Sequence, residues 1–267
     1  MNQVVVKQEK SGYQIVEAYK SLRTNLQFCG EDKKVIAVTS CTPNEGKSSV
    51  SMQLGISLAE SGKRVILIDA DLRKSVLLGR TKTQKSVRGL AHFLSGQATL
   101  EDVICSTNVK NFYMIYSGPF PPNPAELLGG KNFRSLLNAL RKVYDYVIVD
   151  TPPLGSVIDS AIVAEICDGS IMVIESGVIS YRFAQEVKSQ LERSNCPLLG
   201  VVLNKGMVNT ENTVSTNMEI TARRRTINCH EKRDCCRFDC PVRGARSRYS
   251  SCRSDGRPKR PGNRASS

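Results

Sequence analysis

Six short apolar runs restrict this chain more than any other feature: Val35–Thr39, Arg64–Ile68, Phe112–Tyr116, Tyr146–Val149, Ser170–Ile174 and Leu198–Leu203. They are nearly continuous in Val, Ile and Leu rather than alternating with polar residues. A strand of that kind must be covered on both faces, which is the condition found in parallel sheets flanked by helices. Helical patterns lie between the runs, notably Ser49–Ser61, Phe133–Val143 and Ser180–Arg193, and supply the covering layers. Ile15, Tyr19, Leu22 and Leu26 fall at spacings of four, three and four, one face of an N-terminal amphipathic helix. Gly118–Pro124 holds four prolines and reads as an extended loop, neither helix nor central strand.

The first run leads into Ser40-Cys41-Thr42-Pro43-Asn44-Glu45-Gly46-Lys47-Ser48-Ser49. A strand, a loop and a helix opening near Lys47 place backbone N–H groups and a helix N-terminus around bound phosphates. In this context Lys47 neutralises β- and γ-phosphate charge, and the Ser48 hydroxyl is a magnesium ligand. The usual pattern has glycine where Cys41 stands, so the match is imperfect, but the strand–loop–helix setting is the required one. The expected fold is therefore α/β: a P-loop NTPase-like, mostly parallel sheet flanked by helices.

The second run ends in Asp69-Ala70-Asp71-Leu72-Arg73. Two carboxylates at the end of a buried strand beside a phosphate loop can hold magnesium and also take a proton from an incoming hydroxyl. Asp150 ends a further strand, where a parallel sheet presents side chains to the ligand crevice; it suits a water-mediated magnesium contact, or else caps a turn. Asn204 ends the last strand, where its amide either reads a nucleobase edge or serves as a turn residue. The candidate nucleotide-binding set is Pro43, Asn44, Glu45, Gly46, Lys47, Ser48, Ser49, Arg73 and Asn204. Lys47, Asp69 and Asp71 are the candidate catalytic residues, and Ser48, Asp71 and Asp150 the candidate metal ligands. His92, among Leu90, Phe93 and Leu94, reads as a packed or surface histidine.

The net charge of +13 is unevenly spread. Residues 1–205 carry 24 Lys and Arg against 19 Asp and Glu, whereas 206–267 carry 14 against 6. The basic excess thus argues weakly for nucleic acid, and none is expected as a partner. Five of the ten cysteines are scattered through 1–205, as free thiols in a reducing compartment would be. No leucine follows Leu203, and Arg, Cys, Ser, Pro and Gly dominate from Ala222 onward. Such a tail has too few large apolar groups to offset its ordering entropy and is expected to be disordered. Cys229, His230, Cys235, Cys236 and Cys240 lack paired C-x-x-C spacing, which argues against zinc. No apolar run approaches the roughly 18 residues of a membrane span, and Met1–Lys10 lacks a secretory signal. A cytoplasmic protein is expected.

Together these stations resemble the bacterial tyrosine kinases that control capsule and exopolysaccharide synthesis, over roughly Ser11 to Lys205. In that family the loop around Lys47 is Walker A, the stretch ending in Asp69-Ala70-Asp71-Leu72-Arg73 is Walker A′, and Val147–Pro153 is Walker B. Pro121-Pro122-Asn123-Pro124-Ala125-Glu126-Leu127-Leu128 looks like its proline-rich segment. Partition and division-site ATPases of the same fold carry a signature lysine where Thr42 stands, and its absence favours the kinase branch. The resemblance implies ATP and Mg2+ as cofactors, tyrosine-containing proteins as substrates, and a membrane-anchored activator that recruits the kinase to the inner face of the membrane. Asp69 would assist deprotonation of tyrosine, while Asp71 and Asp150 organise magnesium.

Glu17-Ala18-Tyr19-Lys20-Ser21-Leu22-Arg23 matches the family's Glu-x-x-Arg-x-x-Arg oligomerisation signature with lysine in the middle. Lysine keeps the charge and loses the bidentate fork, so a ring-like homo-oligomer is expected, with a weaker contact. The resulting division is an oligomerisation region over 1–30, an ATP-binding kinase domain over 31–205 and a basic tail over 206–267. The tail departs from the family's tyrosine cluster, holding only Tyr249, and resembles either a shifted reading frame or a diverged end. A nucleotide-switched ATPase or scaffold without tyrosine phosphorylation is the competing reading.

Overall fold

The computed structural model describes residues 2–7, 12–83 and 87–206. Residues from 207 on, with Tyr249 and the tail cysteines, lie outside the described residues, and so does the expectation of tail disorder. The elements in chain order are β1 (Asn2–Val6), α1 (Tyr13–Phe28), β2 (Val35–Ser40), α2 (Lys47–Glu60), β3 (Val65–Asp69), β4 (Thr81–Thr83), α3 (Leu90–Leu94), α4 (Leu100–Val103), β5 (Ile104–Thr107), β6 (Phe112–Ile115), α5 (Pro124–Gly129), α6 (Lys131–Val143), β7 (Tyr146–Asp150), α7 (Asp159–Ala164), β8 (Gly169–Glu175), α8 (Tyr181–Arg193) and β9 (Leu198–Asn204).

The strands form one sheet in the order β4-β1-β5-β6-β3-β7-β2-β8-β9. From β6 to β9 every pairing is parallel, as the six apolar runs predict. The sheet also extends past β6 through antiparallel β5, then β1 and β4. These three strands escape the continuous-run criterion because they are short and half polar. In β1, Val4 and Val6 are buried while Val5 between them is 48% exposed, an edge-type alternation.

Side chains alternate between two cores, as strand geometry requires. Leu67 of β3 and Ile148 of β7 pack with α1 and α2, whereas Ile66, Ile68 and Val149 face Phe133 and Leu137 of α6 on the other side. A third cluster seats Val187 and Leu191 of α8 against Met172 and Ile174 of β8. Helix α1 lies on α2 through fully buried Leu22 and Leu26, with Tyr19 half-buried. Ile15 is 46% exposed, and Ala18 is buried in its stead. The apolar face therefore starts one turn later than the spacing predicts. Pro124 lies inside a helix rather than in the loop, occupying the first turn of α5, where a missing N–H costs nothing.

The N-terminal residues are part of the same compact unit as the phosphate loop. In the stretch from Glu17 to Arg23, Glu17 and Lys20 pair with each other at 2.7 Å, and Arg23 donates to the Ser57 carbonyl of α2 at 2.9 Å. No helix among the described residues is long and apolar enough to cross a membrane.

Candidate active site

Strand β2 delivers the chain into the phosphate loop, and α2 begins at Lys47. Gly46 caps the helix at φ 90°, and Asn44 also takes a positive φ of 68°. The loop is braced from within by Glu45, whose carboxylate Oε2 accepts from the N–H groups of Cys41 at 2.7 Å and Thr42 at 3.2 Å. Cys41 is fully buried, its Sγ 4.0 Å from Met172 Sδ, so it packs where the usual pattern has glycine.

Adjacent strand ends bring the acids together. Asp69 at the end of β3 is the register partner of Asp150 at the end of β7, and both are fully buried. Lys47 Nζ donates to Asp71 Oδ2 at 3.2 Å and lies 3.6 Å from Asp150 Oδ2. Asp150 Oδ1 accepts from Ser51 Oγ at 3.2 Å, Asp71 Oδ1 accepts from the Lys74 N–H at 2.9 Å, and Ser75 donates its hydroxyl proton to Asp69.

Burial pushes the Asp69 carboxyl up to about 7, and repulsion from Asp150 adds to the rise against the Ser75 hydrogen bond. Burial also raises Asp150, with Lys47 opposing. For Lys47, burial by itself would favour the neutral amine, but Asp150 and Asp71 outweigh it and hold the ammonium above its ordinary range. One cation thus serves three carboxylates.

A cleft of about 570 Å³ opens beside this cluster. Pro43, Asn44, Gly46, Lys47, Ser48 and Ser49 line its floor, and Asp71, Arg73, Pro152, Ser156 and Asn204 its walls. Lys74, Arg80 and Lys205, which the sequence reading did not single out, add three cationic side chains. Lys74 and Arg80 follow the acid pair closely in the chain, and the absence of a strand or helix pattern around them hid their position.

Of the expected nucleotide-binding residues, Glu45 turns its side chain into the loop rather than the cleft. Arg73 lines the cleft, yet its guanidinium forks onto Asp159 with Nε–Oδ2 at 2.7 Å and Nη2–Oδ1 at 3.1 Å. Asn204 also lines the cleft, with its amide donating to the Glu45 carbonyl at 2.8 Å. His92 accepts from the Gly89 N–H through Nδ1 at 3.1 Å and closes the first turn of α3, a packing role. The five described cysteines are free.

A parallel sheet with a phosphate loop and two acid-bearing strand ends defines a nucleotide-dependent phosphotransferase or ATPase. Comparison with known proteins narrows the class. Residues 33–194 match the family model described as "AAA domain". The chain is 44% identical to tyrosine-protein kinase CpsD of Streptococcus agalactiae serotype III (strain NEM316), over 71% of this chain and 82% of that one. It is 38% identical to tyrosine-protein kinase YwqD of Bacillus subtilis (strain 168), over 70% and 80% respectively. Among solved structures it resembles the kinase domain of Escherichia coli tyrosine kinase ETK, with a TM-score of 0.69 and 34% identity over 74% of this chain and 78% of that one. The chain belongs to the bacterial tyrosine kinases.

Proposed function

We propose that this chain transfers the γ-phosphate of ATP to tyrosine hydroxyls of proteins in capsular or exopolysaccharide synthesis, and that the Lys47–Asp69–Asp71–Asp150 cluster carries the reaction. One observation supports this reading above others: Asp69, fully buried beside Asp150 and pushed up to about 7 by that burial, stands in one acid cluster with Lys47 and Asp71, which line a cleft rich in cations. A base near neutrality suits proton removal from a hydroxyl, and positive side chains around a phosphate loop suit a triphosphate.

The residues fit magnesium. Asp69 Oδ1 and Asp150 Oδ2 are buried without a hydrogen-bond partner, and three carboxylates outnumber Lys47. No three His, Cys, Asp or Glu side chains among the described residues form a complete cage. That also suits an ion which completes its shell with phosphate and water. Ser48, Asp71 and Asp150 would hold it, and when bound it neutralises charge on the β- and γ-phosphates.

The remaining work falls to the chain itself. Lys47, fixed by Asp71 and Asp150, meets the charge that develops on the transferred group. Asp69 takes the tyrosine proton, with Ser75 orienting its carboxyl. The phosphate loop positions the triphosphate through the backbone N–H groups of Asn44 to Ser49. In the cell, a membrane-anchored activator and a ring-like homo-oligomer built through α1 would complete the assembly at the inner face of the membrane.

The deciding experiment compares the wild type with Lys47→Met in γ-phosphate transfer to a tyrosine peptide. Transfer by the wild type and its loss in the variant support the reading. Equal transfer by both would remove Lys47 from the mechanism.

A further inference from the structure

Two carbonyls of the phosphate loop are held by Asn204, which ends the last strand, and by Lys205, which follows it; both also line the cleft. Asn204 Nδ2 donates to the Glu45 carbonyl at 2.8 Å, and Lys205 Nζ donates to the Asn44 carbonyl at 2.7 Å. A trans peptide directs its C=O and the following N–H to opposite sides. Pinning the Asn44 carbonyl therefore sets the direction of the Glu45 N–H, and pinning the Glu45 carbonyl sets that of the Gly46 N–H. Neither N–H has a backbone acceptor among the described residues, so both remain open to a ligand.

The arrangement is built in from both sides. Asn44 holds a positive φ of 68° and Gly46 one of 90°, which place consecutive loop peptides in a concave turn. A Cβ at Gly46 would stand 2.1 Å from Asn204 Nδ2, so the close approach of Asn204 itself requires glycine there. Lys205 takes a φ of 57° and is steadied by Glu175 Oε2 at 3.0 Å, at the end of β8.

We propose that Asn204 and Lys205 are positioning residues that latch the phosphate loop, aiming the Glu45 and Gly46 N–H groups at the phosphates of the nucleotide. The amide of Asn204 thereby acts through the loop. This rests on the reading of the cleft as a nucleotide site.

The test titrates the full-length chain with magnesium ATP by calorimetry and measures KM for ATP and for a tyrosine peptide. Lys205→Met is expected to weaken ATP binding about tenfold and to raise the ATP KM in parallel. Its kcat and peptide KM stay within about twofold, because the reacting acids are untouched. Lys205→Arg keeps a donor and restores most of the affinity, while Glu175→Gln, which removes only the charge that steadies Lys205, gives a smaller loss. Should Lys205→Met fail to fold, Asn204→Leu removes the other donor at similar size without adding charge and is expected to give the same loss.

Unchanged ATP affinity in the folded variant, or a loss that arginine does not rescue, would overturn the latch. Calorimetry separates it from the kinase reading, since a wild type that binds ATP but phosphorylates no tyrosine overturns only the latter. A wild type that binds no ATP overturns both.

Discussion

Asp69→Asn should slow phosphotransfer severely and yet make the nucleotide-free protein more stable. Asp69 is fully buried opposite Asp150, and its carboxyl is raised from 3.8 to about 7. A raised acid pKa means that the folded state resists the charged form. The resulting cost is full above pH 7, shrinks as the pH falls, and vanishes near pH 4, where the unfolded carboxyl is protonated too. Three units correspond to a ceiling of about 4 kcal/mol at 1.36 kcal/mol per unit, and relaxation around a buried group leaves about half of it. Asparagine keeps an acceptor for Ser75 and removes the negative charge that Asp150 repels.

For a chain of this size about 2 kcal/mol is a rise of about 4–8 °C in melting temperature. Differential scanning calorimetry with chelator present, at pH 8 and again at pH 5.5, measures it. The variant should melt higher at pH 8 and lose part of its advantage at pH 5.5, while kcat falls by about 10²–10⁴. A variant that melts lower than wild type at pH 8, or whose gain is the same at both pH values, would refute the reasoning.

Other expectations follow from single contacts. A Cβ on Gly155 would meet the Cys41 carbonyl at 2.2 Å and the Phe183 ring at 2.8 Å, so Gly155→Ala should cost about 1–3 kcal/mol in urea melts and weaken ATP binding. Arg73→Ala leaves Asp159, which is fully buried, without its ionic partner and should destabilise by about 1–3 kcal/mol, a loss that the added Asp159→Asn largely reverses. Leu22→Ala, at the buried contact between α1 and α2, should cost about 2–5 kcal/mol in the same melts.

The parts legible in the sequence were those written in local pattern. Lys47, Asp69, Asp71 and Asp150 each sit at the end of an apolar run or the start of a helix, so strand direction alone brings them to one edge. The contacts that hold them are long-range and left no local trace. Arg73 finds Asp159 across 86 residues, and Asn204 finds Glu45 across 159. The bracing of the phosphate loop by the Glu45 carboxylate, which accepts from the Cys41 and Thr42 N–H groups, likewise has no sequence signature. Ile15 matched the helical spacing and is exposed, because periodicity marks a face without marking where the neighbouring helix begins.

The central claim is transfer to a tyrosine hydroxyl rather than to water. Incubating the wild-type protein with γ-labelled ATP, magnesium and paired peptides that differ only by tyrosine or phenylalanine tests it most directly. Label is expected on the tyrosine peptide and not on the phenylalanine peptide, with loss of the signal in Asp69→Asn. Label recovered only as inorganic phosphate, with both peptides unmodified, would contradict it.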